Sequence, residues 1–134
     1  IFVDQGAGSG VHSYLKRLGY MVMAIPFGSS SSKPKYFNKR AEMWGELKEW
    51  LKEGGAIPPG EELKSDLVGP QYYYAPSGKL QLERKEDMKK RGLASPDLAD
   101  ALALTFAHPV AKREDERGYG YSGQAETVND EWEI

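Results

Sequence analysis

The stretch Ile1-Phe2-Val3-Asp4-Gln5-Gly6-Ala7-Gly8-Ser9-Gly10, with its continuation to Phe27, decides the fold class. Residues 1–3 are apolar and β-prone, and they run straight into an acid and a cluster of glycines. Val11, Tyr14, Leu15 and Leu18 then recur at helical spacing, and Gly19 stands where a helix C-cap belongs. Residues 21–27 read as a second buried strand. Strand, glycine turn, helix and strand form a βαβ unit, so the two strands are expected to be parallel neighbours in an α/β fold with helices packed on the sheet.

Downstream, Ser29 to Ser32 with Lys33-Pro34-Lys35 form a basic loop, and Asn38 can cap a helix carrying the apolar stripe Ala41, Trp44, Leu47 and Leu51. Gly54-Gly55 ends that helix, and residues 61–68 form a short amphipathic segment around Leu63 and Leu67. Tyr72-Tyr73-Tyr74-Ala75 and Lys79-Leu80-Gln81-Leu82-Glu83 flank Pro76-Ser77-Gly78, which predicts a β-hairpin with the tyrosines packed into the core. A short charged helix over 86–91 closes at Gly92. Ser95 as N-cap and Pro96 as first helical residue open a last helix over about 96–107. Beyond Val110 glycine and charge dominate without periodicity, so residues 110–134 read as a tail that is flexible or docks elsewhere. Residues 1–109 form the folded domain.

Composition narrows the class. The 134 residues are 40% hydrophobic and 28% charged, the balance of a globular domain rather than of a disordered chain. No apolar run approaches the roughly 20 residues of a spanning helix, so no membrane partner is expected. Residues 1–3 lack a basic lead-in, which argues against a signal peptide. Absence of cysteine excludes disulfides and thiolate metal sites. The net charge of −2 hides an asymmetry: residues 1–109 carry 15 Lys+Arg against 13 Asp+Glu, whereas residues 110–134 carry 3 against 7. The body is mildly basic and the tail acidic.

Two places can carry chemistry. Asp4 follows a parallel strand at its C-terminal end, the edge where open α/β sheets bind ligands, although an acid there can also simply cap a turn. The Gly6-Ala7-Gly8-Ser9-Gly10 run matches neither the dinucleotide fingerprint nor the P-loop. In Ser95-Pro96-Asp97-Leu98-Ala99-Asp100, Asp97 and Asp100 share one helix face, opposite an apolar face of Leu98, Ala99, Leu102, Ala103 and Phe106, with Leu104 between the acids. Helix-dipole stabilisation explains Asp97 well and Asp100 less well. Carboxylate clusters without nitrogen or sulfur ligands suit Mg²⁺ or Mn²⁺, and a pair of such ions clamps an in-line phosphoryl displacement.

A family resemblance rests on particular blocks. Val3-Asp4 with Gly6, Gly8 and Gly10, the strand ending at Pro26-Phe27-Gly28, and Phe37-Asn38-Lys39-Arg40-Ala41-Glu42-Met43-Trp44 resemble the middle of a phage large terminase nuclease domain. Most diagnostic is Glu83-Arg84-Lys85-Glu86-Asp87-Met88-Lys89-Lys90-Arg91-Gly92 followed by Ser95-Pro96-Asp97-Leu98-Ala99-Asp100-Ala101. The resemblance covers residues 1–109 and implies an RNase H-like mixed sheet flanked by helices, related to RuvC resolvases, here lacking its first strands. It implies a metal-dependent endonuclease that cuts concatemeric viral DNA for packaging. Asp4 takes the place of the central-strand acid, Asp97 that of the closing-helix acid, and Asp100 that of a supporting metal ligand or an acid just behind the ligands. The family's first acid sits on an earlier strand, so residues 1–134 alone are expected to be inactive. Implied partners are double-stranded DNA, the terminase ATPase domain, the small subunit and the portal or procapsid, in the cytoplasm of a bacterial host. A RuvC-like resolvase and a non-catalytic docking module of the same fold are the alternatives.

The remaining residues carry less. Lys33, Lys35, Lys39 and Arg40, with Lys85, Lys89, Lys90 and Arg91, can hold DNA phosphates, though such runs are usually solvated faces. His12 and His108 read as surface or capping residues, and Trp44 and Trp50 as core or interface.

Overall fold

The computed structural model describes residues 1–6 and 9–110; the acidic tail lies outside them. The elements run β1 (Phe2–Asp4), α1 (Ser9–Arg17), β2 (Met23–Ile25), α2 (Lys39–Lys52), α3 (Glu61–Val68), β3 (Tyr72–Tyr74), β4 (Leu80–Leu82), α4 (Lys85–Lys90) and α5 (Asp97–Leu104). β1 and β2 pair in parallel, with Phe2 beside Met23 and Asp4 beside Ile25, as the βαβ reading requires. β3 and β4 pair antiparallel, Tyr72 beside Leu82 and Tyr74 beside Leu80. Among the described residues these two pairs form separate two-stranded sheets, not one mixed sheet. A bridge from Tyr36 to Leu80 ties the loop before α2 to the hairpin.

α2 is the element on which the others rest. Asn38 caps it as its sequence position suggests, its side-chain oxygen accepting from the Ala41 amide at 2.9 Å. Ala41, Met43 and Leu47 are buried and join Ile25, Ala103 and Ala107 in the core, with Phe27, Trp44, Trp50, Leu51 and Phe106 packed around them. α2 and α3 both pack against α5. Tyr36 lies directly over Gly45 in mid-helix, where any side chain would collide with its ring. The buried Tyr36 is thereby clamped between α2 and the hairpin.

Five local expectations fail. The three hairpin tyrosines are 59%, 44% and 66% exposed rather than in the core, because the hairpin lies at the margin of the domain. Leu98 on α5 is exposed, the inward face being made by Ala99 and Ala103. Ser95 does not cap α5: the helix begins at Asp97, and the Leu98 amide donates instead to Asp66 Oδ2 at 2.9 Å, so the cap comes from α3. α5 also ends at Leu104, where Thr105, Phe106 and Ala107 switch to hydrogen bonds three residues back. Val11, Tyr14 and Leu18 of the first helical stretch are about half exposed, so that apolar stripe is only partly covered among the described residues.

Glu42, inside the first turn of α2, holds the loop before it. Its carboxylate accepts from Ser31 Oγ and the Ser32 amide, both at 2.6 Å, from Ser32 Oγ at 2.9 Å, and pairs with Lys39 Nζ at 2.7 Å. Burial pushes this carboxyl up, but the hydrogen bonds from Lys39, Ser31 and Ser32 outweigh it and bring it to about 2. A depressed folded-state pKa contributes stability that is present above the unfolded value of 4.5 and is lost as pH falls toward 2. Glu42→Gln is therefore expected to lose roughly 2–3 kcal/mol in urea unfolding at neutral pH. The deficit should shrink steadily between pH 4.5 and pH 2; a deficit independent of pH would contradict this account.

Candidate functional site

Asp4 sits at the C-terminal end of β1, and its orientation is fixed locally. Its Oδ1 accepts from the Gly6 amide at 2.9 Å, a turn that the sequence Asp-Gln-Gly closes on itself. The turn-capping role considered from sequence is thus realised, and it leaves the residue at the wall of an open cleft. That cleft is also lined by Gln5, Pro26, Phe27, Asn38, Arg40 and the run from Gln81 to Glu86. β1, the loop after β2, the start of α2 and the start of α4 therefore meet here, as the edge-of-sheet rule predicts.

Lys85, the first residue of α4, joins this cleft to the acids of α5. Its Nζ lies 2.9 Å from Asp100 Oδ2 and 3.6 Å from Asp97 Oδ1. Desolvation works to lower the Lys85 pKa, but the adjacent Asp100, and beyond it Asp97, raise it above 10.5, so the side chain stays cationic. α5 also packs against β1, although neither Asp97 nor Asp100 lines the Asp4 cleft. From sequence Lys85 reads as one of several DNA-facing lysines; its position between two aspartates twelve and fifteen residues away has no local signature.

The two acids of α5 occupy opposite environments. The Asp97 side chain is 79% exposed and has Lys85 as its ion-pair partner. Asp100 is buried: its Oδ1 accepts from Arg40 Nε at 3.0 Å and from Trp44 Nε1 at 2.8 Å, and its Oδ2 faces Lys85. Asp100 Oδ1 is thus held by two hydrogen bonds, whereas the buried Oδ2 has no hydrogen-bond partner among the described residues and meets only the Lys85 charge. Asp97 presents a carboxylate to solvent, and Asp100 supports the surrounding structure.

The other basic candidates separate in the same way. Lys39 and Arg40 are buried and paired with Glu42 and Asp100, which overturns their reading as phosphate contacts. Lys33 pairs with Glu46 at 2.7 Å, Lys90 with Asp87 at 2.7 Å, and Arg91 with the buried Glu83. Lys35 faces a different groove, beside Tyr36. Lys89 is exposed on α4, and among these lysines Lys85 alone lines the Asp4 cleft. Arg84, Asn38 and Gln81 line it too and were not singled out as ligand contacts from sequence, since nothing in their spacing marks them. His108 lies beside Phe2, ring centroids 5.8 Å apart.

As a set of metal ligands, Asp4 and Asp97 have the right chemistry, hard carboxylate oxygens without competing sulfur. Among the described residues, however, no group of three or more His, Asp or Glu is placed to share an ion. The donors fit a divalent cation in kind, and further oxygens would have to come from elsewhere.

The contrast between the two α5 acids is testable. Asp100→Ala leaves the buried Arg40 guanidinium without its carboxylate and is expected to cost about 3–5 kcal/mol. Asp97→Ala removes a solvent-exposed carboxylate and should change stability by no more than about 0.5 kcal/mol. Chemical denaturation of both variants checks this, and equal losses would show that the assignment of roles is wrong.

No protein-family model and no curated protein matches the chain. Solved structures do. The nuclease domain of the large terminase subunit gp2 of bacterial virus Sf6 matches with a TM-score of 0.62 and 27% identity, over 82% of this chain and 65% of that one. A lysine-to-alanine variant of that domain, solved with manganese and beta-thujaplicinol, matches with a TM-score of 0.62 and 26% identity over the same shares. A calcium-containing structure of such a variant from the same phage matches with a TM-score of 0.59 and 24% identity. The chain spans about 65% of the length of the first of these domains. The parallel β1–β2 pair, the hairpin and the helices around α2 are therefore arranged as in the RNase H-like nuclease domain of a phage large terminase subunit, and that is the fold this chain carries.

Proposed function

We propose that this chain is part of a metal-dependent endodeoxyribonuclease that cuts concatemeric viral DNA during packaging. The observation that carries the reading is the packing of α5 against β1, with Asp4 in the wall of the cleft and Lys85, which also lines it, paired with Asp97. The likeness to a terminase nuclease domain, a variant of which has been solved with manganese, supports it.

In this reading Asp4 and Asp97 hold Mg²⁺ or Mn²⁺, with Asp100 as the supporting acid. Such an ion, when bound, polarises a phosphodiester and lowers the pKa of water. The chain's own residues then have defined tasks. The Gly6 amide keeps the Asp4 carboxylate in one orientation. Lys85, held cationic by Asp100, offsets the negative charge of the acids before DNA arrives and attracts phosphate oxygens to the cleft. Arg84 adds a second cation at its edge. Lys89 extends the basic surface along α4, while Lys33, Lys35 and Lys90 contribute through long-range attraction more than contact. The DNA duplex is the substrate, and the ATPase domain, small subunit and portal or procapsid are the partners, within the host cytoplasm. No described helix is long and apolar enough to cross a membrane.

A second reading, a docking module of this fold that does not cut, is favoured by one observation: no described group of three acids or histidines can share an ion. Mutation in the complete protein separates the two. Asp4→Asn and Asp97→Asn should each lower Mg²⁺- or Mn²⁺-dependent plasmid cleavage by about 100-fold or more, at unchanged thermal midpoint. Undiminished cleavage by either variant would remove that acid from the site, and a complete protein that binds DNA without cutting it would select the docking module.

A further inference from the structure

A second concavity lies between α2, α3 and the β3–β4 hairpin. Its volume is about 680 Å³, and Trp44, Leu51, Ile57 and Leu67 supply an apolar floor. Val68 and Tyr72 stand at its rim with 76% and 59% of their surfaces exposed, a large apolar area left to solvent. Around that floor stand Lys35, Lys48, Lys52 and Lys64, against a single lining carboxylate, Glu49. Lys48 and Lys52 are four apart on α2 and therefore project from one helix face.

This combination selects its occupant. A nucleic acid backbone would use the lysines and leave the apolar floor unsatisfied, and an uncharged apolar ligand would waste the lysines. A short peptide with acidic and bulky apolar residues uses both. The chain itself contains such a peptide. Glu126-Thr127-Val128-Asn129-Asp130-Glu131-Trp132-Glu133-Ile134 carries four acids and no lysine or arginine, with Val128, Trp132 and Ile134 interspersed. Lys52 pairs with Glu49 at 3.0 Å and Lys64 with Glu61 at 3.6 Å, while Lys35 and Lys48 have no ion-pair partner among the described residues, so the groove keeps a net positive charge opposite in sign to that of the segment.

Reach is not an obstacle. The 15 residues from 111 to 125 can span up to roughly 50 Å when extended. A 100-residue domain has a radius of gyration of only about 13 Å. α5, from which this connection departs, packs directly against α2 and α3, two walls of the groove.

We propose that the groove is the docking site of the chain's own acidic segment, residues 126–134, with Trp132 on the apolar floor and Glu131 and Glu133 facing Lys48 and Lys52. The inference does not depend on nuclease activity, since the groove and the Asp4 cleft have separate linings apart from Leu82.

A zero-length carbodiimide cross-linker on the full 134-residue chain, followed by peptide mass spectrometry of the monomer fraction, tests it. Links from Glu131 and Glu133 to Lys48 and Lys52 should exceed those to the exposed Lys16, Lys79 and Lys89 by about tenfold, and should fall in high salt. Lys48→Glu combined with Lys52→Glu should abolish them, and adding Glu131→Lys with Glu133→Lys should restore cross-linking with the charges reversed. Trp132→Ala, which keeps every charge, should lower the yield by about tenfold through loss of the buried indole. Links spread evenly over all exposed lysines would overturn the proposal, as would yields insensitive to Trp132→Ala. Links confined to the dimer fraction would overturn it in favour of a second copy as occupant.

Discussion

Arg40 is buried in the first turn of α2, and a buried guanidinium imposes conditions on whatever surrounds it. Its Nε meets Asp100 of α5 at 3.0 Å, its Nη1 donates to the Glu83 carbonyl beyond β4 at 2.9 Å, and its plane lies over the Trp44 ring at 5.7 Å. One side chain thus requires α5, the end of the hairpin and α2 to be present together and in register. Taking two charges out of water costs several kcal/mol per ion, and their attraction only offsets it when geometry is good. One buried nitrogen, Nη2, finds no partner among the described residues. The pair therefore contributes more to choosing one arrangement than to net stability. Asp100 in turn holds Lys85 in the cleft, so the arrangement chosen by Arg40 also fixes the place of that cation.

Local features were legible in the sequence because their causes are local. The parallel β1–β2 pair followed from two apolar runs separated by a helix-length segment, and the cap at Asn38 from its place before an amphipathic stripe. The hairpin followed from Pro76-Ser77-Gly78, where Gly78 adopts a φ of 77° that favours glycine. Distant partners were not legible. Arg40 and Asp100 are 60 residues apart, so a run that reads as surface-basic turns out to be interior. Asp66 and the Leu98 amide are 32 apart, and no cap rule looks beyond the residues adjoining a helix. The tyrosines of β3 have the composition of a core strand but pair at the margin, where only one partner strand covers them.

The same division applies to the site. Asp4 and the α5 acids could be picked out, one from its strand end and the others from helical spacing, but their roles could not. An exposed Asp97 and an interior Asp100 differ only through what packs on the second of them. For the lysines, pairing decided what charge count could not: Lys33, Lys39 and Lys90 each answer a nearby carboxylate. Lys85 is distinguished by lying where α4 begins, next to the cleft.

α3 contains no buried residue, yet Asp66 on it supplies the acceptor for the first free amide of α5. That amide belongs to Leu98, the immediate neighbour of Asp97. A helix with no fully buried residue is therefore a structural determinant of the backbone beside a candidate metal ligand. Local opening of α3 would fray α5 at its first turn and let the Asp97 carboxylate wander before any core residue moved. The precision of the site is set in part by a helix that buries none of its own residues.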